Sequence, residues 1–272
     1  MKLSCQEQLL PGDSLEAKFG FALRAGFAGI ELRARGDGQF AARLPELRAA
    51  ARAGVVMATV CPETDHFIGD FDADRRRDAV AQIRAQLSVI AELGGEGVLT
   101  PASWGMFSLR LPPFTPPRDA AADREVLLDA LTTLAEHAAR EGVWLALEPL
   151  NRYEDHMVNR LDQAASLAEE VERRTGLDAV RVCADLFHMN IEEDDLPTAI
   201  ARAGRRIAHV QVNDSNRLQP GTGHLDFAGA LGALRAGGYD GWLALECRLR
   251  GDPEQALPAT CRHLARLLER TA

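Results

Sequence analysis

The chain has 272 residues, 46% of them hydrophobic and 26% charged, which is an ordinary globular composition and not a disordered, collagenous or coiled-coil one. Lys and Arg number 31 against 40 Asp and Glu, giving a net charge of −9. A phosphate backbone calls for clustered cations, so the expectation is no nucleic-acid partner. Residues 1–8 lack the sustained apolar stretch of a secretory leader, and no apolar run approaches the roughly 20 residues of a membrane helix, so no membrane partner is expected either.

In chain order, short apolar, β-branched runs alternate with longer Ala/Leu/Arg/Glu stretches of helical period. Residues 2–6 are the first expected strand, followed by a helix over 14–25 that Gly26 stops. Strand 29–33 precedes helix 40–53, closed by Gly54. Strands 55–60, 97–101 and 144–148 follow, backed by helices over 72–93, 119–141 and 162–175. Strands 180–185, 207–212 and 241–246, with helices 196–203, 227–236 and 253–270, complete the pattern. The recurring glycine after a helix suits the position just past its end, where positive φ is needed.

Eight strands alternating with eight helices predict one α/β domain over residues 1–272, a single (β/α)8 TIM barrel. The rival, a doubly wound open sheet, would usually carry a G-x-G-x-x-G turn after its first strand, and neither that nor a P-loop is present. Two loops exceed what connection requires. Residues 103–118 contain Leu111-Pro112-Pro113-Phe114-Thr115-Pro116-Pro117, a stiff path expected to cover the strand ends, with Trp104 and Phe107 as an apolar wall against a ligand. Residues 213–223 follow the seventh strand.

In a TIM barrel the active site gathers at the C-terminal ends of the strands. The last four strands end at Glu148, Asp185, Gln211 and Glu246, each about one β/α unit apart. Singly, each has an ordinary role: a glutamate paired with a loop, an aspartate capping a helix, a glutamine satisfied in the core. Together they bring three carboxylates and an amide to one rim. Such carboxylates repel and raise one another's pKa, and a hard divalent ion such as Mg²⁺ or Mn²⁺ relieves the repulsion. His209 shares the face of Gln211 one layer deeper, where it either orients that amide or packs as a polar core residue. The five scattered cysteines (Cys5, Cys61, Cys183, Cys247, Cys261) form no C-x-x-C pair and read as free core thiols in a reducing cytoplasm.

Three segments carry a family resemblance. Leu147-Glu148-Pro149-Leu150-Asn151-Arg152-Tyr153-Glu154 resembles the L-E-P-x-N-R-[FY]-E motif of the xylose-isomerase-like sugar isomerase/epimerase superfamily. Asp185-Leu186-Phe187-His188-Met189-Asn190-Ile191-Glu192-Glu193 is similar to its D-x-F-H-M-N-I-E-E motif, found in ketose 3-epimerases of the D-tagatose/D-psicose type. The stretch from His209 to Phe227, with Arg217 and Pro220-Gly221-Thr222-Gly223, matches the third. The resemblance implies one divalent metal (Mn²⁺, Mg²⁺ or Co²⁺) held by Glu148, Asp185, Gln211 and Glu246. It implies that Glu148 and Glu246 double as acid and base, that Glu154, His188 and Arg217 bind sugar oxygens, and that the chain forms a homo-oligomer. At position 211 the 3-epimerases carry His; the Gln here resembles hydroxypyruvate isomerase.

The chemistry suits these residues. A metal acting as Lewis acid stabilises an enediolate, and two glutamates on its opposite faces exchange protons, with a small ketose or keto sugar as substrate. Sequence leaves 3-epimerisation and aldose–ketose isomerisation both open. It also leaves open a dehydratase or lyase for a keto-inositol or 3-keto sugar on the same site. A noncatalytic sugar-binding barrel would need no facing glutamates. An endonuclease-IV-like nuclease would call for a multi-zinc cluster and a basic face, against seven histidines and a net charge of −9.

Overall fold

The computed structural model describes residues 1–36, 38–108 and 115–270. The strands are β1 (Lys2–Gln6), β2 (Gly29–Arg35), β3 (Met57–Glu63), β4 (Gly97–Pro101), β5 (Trp144–Glu148), β6 (Val180–Asp185), β7 (Ile207–Val212) and β8 (Trp242–Leu245). All pair in parallel and in sequence order, and β1 meets β8 from Lys2↔Trp242 to Cys5↔Leu245, so the sheet closes into a barrel. The helices are α1 (Leu15–Ala25), α2 (Gln39–Ala42), α3 (Leu44–Arg52), α4 (Ala73–Glu92), α5 (Ala120–Glu141), α6 (Leu161–Thr175), α7 (Leu186–Glu192), α8 (Leu196–Ala203), α9 (Phe227–Ala236) and α10 (Pro253–Arg270). The expected (β/α)8 TIM barrel is the observed one.

Local chemistry explains the boundaries. Ser14, Asp72, Asp119, Asp195 and Asp226 each accept a backbone N–H from the first turn of the helix that follows. Gly142 ends α5 at φ 72°, a left-handed conformation that costs glycine little. Several elements differ from expectation. The stretch 40–53 breaks into α2 and α3 because Pro45 lacks an N–H and belongs in a first turn. Helix α7, not anticipated, starts directly at Asp185. Strands β2 and β3 run on to Arg35 and Glu63, pairing Arg33 with Cys61 and Arg35 with Glu63, which carries those side chains up to the mouth.

Both faces of the barrel wall are covered, but unequally. The large apolar core lies between strands and helices, where Ile30, Leu32 and Val60 meet Leu87, Leu131 and Leu134. Inside the barrel lies a small apolar cluster of Cys61, Leu99, Ala146 and Cys183. Much of the remaining lumen is polar: Gln6, Glu31, Thr59, His209 and Gln211 are buried there. Among the described residues no helix is long and apolar enough to cross a membrane.

Candidate active site

The C-terminal mouth holds a cavity of about 400 Å³ whose lining includes Arg33, Trp104, Glu148, Glu154, His188, Arg217 and Glu246. Glu148 ends β5, and Asp185 ends β6 in register with Gln211 of β7. Glu246 follows β8, its N–H donating to the Val212 carbonyl at 3.3 Å. Acidic oxygens of Glu148 and Asp185 and a ring nitrogen of His188 lie within 4.8 Å of one another; Glu246 stands outside that triplet. A larger cavity of about 570 Å³, between α5 and α6 around Asp123 and His156, contains none of these carboxylates.

Burial and mutual repulsion govern the carboxylates. Glu148 is pushed well above the usual range by burial, then by Glu246 and Asp185, with Arg217 only partly offsetting them. Glu246 is pushed to about 7 by burial and Asp185. Burial likewise raises Asp185 against the nearby Arg217 and its hydrogen bonds. Asp185 caps α7, its Oδ1 accepting the N–H groups of Phe187 (2.7 Å) and His188 (3.1 Å), and Asn213 Nδ2 donates to its Oδ2 at 3.2 Å. The capping role and a place in the cluster coexist.

These residues fit a cation. Glu246 Oε2 is buried without a hydrogen-bond partner, and among the described residues none donates to the Glu148 carboxylate. Three carboxylates with spare acceptor capacity beside an amide form a hard, all-oxygen donor set for Mg²⁺ or Mn²⁺. His188 is a poorer ligand. Its Nδ1 accepts from the Asn151 N–H at 3.1 Å and from Asn151 Nδ2 at 2.8 Å. Burial and Arg217 lower its pKa to about 4, so the ring is neutral at neutral pH. That ring's Nε2 lies 3.1 Å from the Arg217 Nη1 donor and 3.9 Å from Glu148 Oε1, at the wall of the cavity.

The remaining expected residues frame the opening. Glu154 Oε1 accepts from Asn151 Nδ2 at 2.9 Å and lies 3.8 Å from Arg217 Nη1; its Oε2 accepts from Trp104 Nε1 at 2.9 Å. Arg217 has φ 59°, the sole positive value among the described non-glycine residues. Its backbone is pinned by N–H donation to the Asp214 carbonyl and by acceptance from the Arg248 N–H, both at 2.8 Å. Buried Asp214 organises this loop, accepting the N–H groups of Ser215, Gly221, Thr222 and Leu225. Trp104 lines the cavity, whereas Phe107 packs edge-on against His156 at 5.1 Å, so the apolar wall beside Trp104 comes from Phe67 instead. Residues 109–114 of the proline-rich loop lie outside the described residues.

Gln211 is fully buried, with Nε2 donating to Glu31 Oε1 at 3.2 Å and Oε1 near Cys183 Sγ at 3.8 Å. Glu31 is a residue the sequence reading passed over. Its Oε1 also accepts from Gln6 Nε2 (3.0 Å), its Oε2 accepts from Thr59 Oγ1 (2.8 Å), and His209 Nε2 lies 2.7 Å from Oε2. Burial opposes this charge, but His209, Gln6 and Thr59 outweigh it and hold the carboxyl at about 2. His209 therefore reaches Gln211 through Glu31. The ionised carboxylate takes the NH₂ side of the amide and leaves the carbonyl oxygen turned away from it. Glu31→Met should strand four donors in the lumen and lower unfolding stability, read by urea titration, by about 3 kcal/mol. Glu31→Gln, which keeps an acceptor, should cost about 1 kcal/mol by the same urea titration.

A closed parallel barrel with a carboxylate-lined cavity at the C-terminal ends of its strands is the frame of a TIM-barrel enzyme acting on a small molecule. Residues 19–267 match the model of the xylose isomerase-like TIM barrel family, and the chain belongs to that family. It is 40% identical over 259 residues to the 3-dehydro-D-guloside 4-epimerase of Escherichia coli K12, covering 94% of this chain and 96% of that protein. The crystal structure of 3-keto-D-glucoside 4-epimerase from E. coli superposes with a TM-score of 0.87 at 38% identity, over 100% of both chains. A structure of L-ribulose 3-epimerase gives 0.82 at 26% identity, covering 99% of this chain and 95% of that one. The protein is an enzyme of the isomerase/epimerase type.

Proposed function

We propose that this enzyme inverts a carbon beside a ketone in a keto sugar, and more closely C4 of a 3-keto hexoside, with a divalent cation in the mouth of the barrel. The observation that carries the reading is the pair of carboxylates, buried Glu148 and half-buried Glu246, that face one cavity from β5 and from the end of β8. The choice of C4 in a 3-keto glycoside is supported by the 40% identity to the E. coli 4-epimerase. The motif around Glu148 also favours a second reading, 3-epimerisation of a free ketose, since a D-psicose 3-epimerase of Enterocloster bolteae is 35% identical over 163 residues.

Glu148, Asp185, Gln211 and Glu246 would hold the cation, which supplies Lewis acidity toward the ketone and its neighbouring hydroxyl. One glutamate removes the proton from the carbon beside the ketone, and the other returns a proton to the opposite face, so the configuration inverts. His188 and the Arg217 guanidinium contact sugar oxygens, the guanidinium as donor, and Glu154 accepts from a hydroxyl. Trp104 presents an indole face to the ring.

The test is incubation of the Mn²⁺-loaded enzyme with methyl 3-keto-glucoside and with free ketoses in D₂O. Deuterium at C4 together with the 4-epimer is the expected result. Deuterium only at C3 of a free ketose would move the assignment to the second reading. An unsaturated product, or inversion without solvent exchange, would overturn proton transfer by the two glutamates.

A further inference from the structure

Arg33 stands in the wall of the cavity just described, yet nothing in the proposed chemistry uses it. Its guanidinium lies 3.9 Å from Glu246 Oε1 and 3.8 Å from Glu63 Oε2, both beyond hydrogen-bond distance. Its Nη1 donates instead to Cys61 Sγ at 3.1 Å, a weak acceptor. Glu63 is no better engaged, with Arg35 at 3.9 Å. Among the described residues, a planar five-donor cation and a carboxylate thus face each other at the mouth with most of their hydrogen-bonding capacity unspent.

Behind them is a second cavity of about 530 Å³ whose lining shares Arg33 and Glu63 with the first. Every side chain that lines it is polar, with Gln8, Lys18, Gln39 and Arg35 among them, and no aliphatic or aromatic wall is offered. One edge is rigid: Arg43 clamps buried Glu7 through Nη1 (2.7 Å) and Nη2 (2.9 Å), and the Arg33 N–H donates to the same Glu7 at 2.9 Å. Forked guanidinium, carboxylate and amide groups around a cleft match a ring of hydroxyls that each donate and accept. They do not match an apolar group, which would strip water from these charges with nothing in return.

We infer that the Arg33–Glu63 side of the mouth is a second subsite that takes a hydroxyl-rich unit, a second sugar ring joined to the reacting one through its anomeric oxygen. The inference rests on the keto-glycoside reading and extends it from the reacting ring to the aglycone. Arg33 then bridges the two units, with one face toward Glu246 and the other toward the second cavity.

The experiment compares kcat/KM for three 3-keto glucosides that differ only in aglycone: methyl, phenyl and a second hexose. The hexosyl substrate is expected to exceed the methyl one by about tenfold, the worth of one or two hydrogen bonds to charged groups, with phenyl no better than methyl. Arg33→Met, checked for an unchanged melting curve, should remove most of that ratio, and Lys18→Ala or Gln39→Ala should narrow it through KM. Equal values for all three aglycones, a preference for phenyl, or variants that lower every substrate by one factor would overturn the subsite. Turnover of the methyl glycoside in those cases leaves the epimerase reading standing; no turnover of any glycoside removes both.

Discussion

Glu246→Gln is expected to fold like the parent chain and lose epimerisation by about 10³-fold. The amide keeps the shape of the side chain and its place beside Arg33, but it cannot exchange a proton at the reacting carbon. Glu148→Gln should be as damaging, and the double variant little worse, because inversion needs both groups and either loss stops it. A finer outcome separates their roles. With one glutamate left, the enzyme should still remove a proton and return it to the same face. Deuterium from solvent would then enter the unreacted substrate without any epimer appearing. Nuclear magnetic resonance of each single variant in D₂O reads this directly, and the variant that washes deuterium into the glucose-configured substrate identifies the base for that direction. Equal epimerisation by wild type and both variants would remove the two-carboxylate mechanism.

Removal of divalent cations by a chelator is expected to abolish turnover and lower the melting temperature, with Mn²⁺ restoring both. Glu148, Asp185 and Glu246 crowd three carboxylates into one mouth, where burial raises all three toward protonation and neighbouring acids add to it for Glu148 and Glu246. A cation at 100 times its dissociation constant stabilises the folded chain by about 2.7 kcal/mol. For a domain of this size that corresponds to a rise of roughly 5–10 °C. Asp185→Asn should shrink the shift, since it removes a charge while the amide still caps α7 through its oxygen. An unchanged melting curve on Mn²⁺ addition would mean that the cluster holds no cation.

The barrel was legible because its signals are local and repeated: apolar runs recur at each unit, and capping residues and glycine stops at most of them. The rim residues of the last four strands were legible because a carboxylate or amide ending an apolar strand stands out. Cys61 was not, because β3 outruns its apolar segment by three residues and only pairing across the sheet shows it, and Arg33, although it ends the expected second strand, was passed over because only the last four strands were read for rim residues. Glu31 had a signal that went unread. Ile30 and Leu32 face the helices, so the alternate position must point into the lumen, and a charged residue there needs partners from other strands. Those partners, Gln6, Thr59, His209 and Gln211, lie between 25 and 180 positions away, beyond any local pattern. Helix α7 was hidden for another reason: seven residues are too few to display a period, and its start depends on a cap from Asp185.

The three tryptophans divide between the two ends of the barrel. Trp144 and Trp242 begin β5 and β8 at the closed base, where Trp242 is 4% exposed and donates to Glu96. Trp104 alone stands at the open mouth, 56% exposed and tethered by its indole nitrogen to Glu154. The emission of this protein therefore separates into a shielded component that reports on the scaffold and a solvated one that reports on occupancy. Iodide quenching, which reaches only exposed indoles, picks out the second without any introduced label, so loading of the site is readable by light from a residue that the ligand itself would cover.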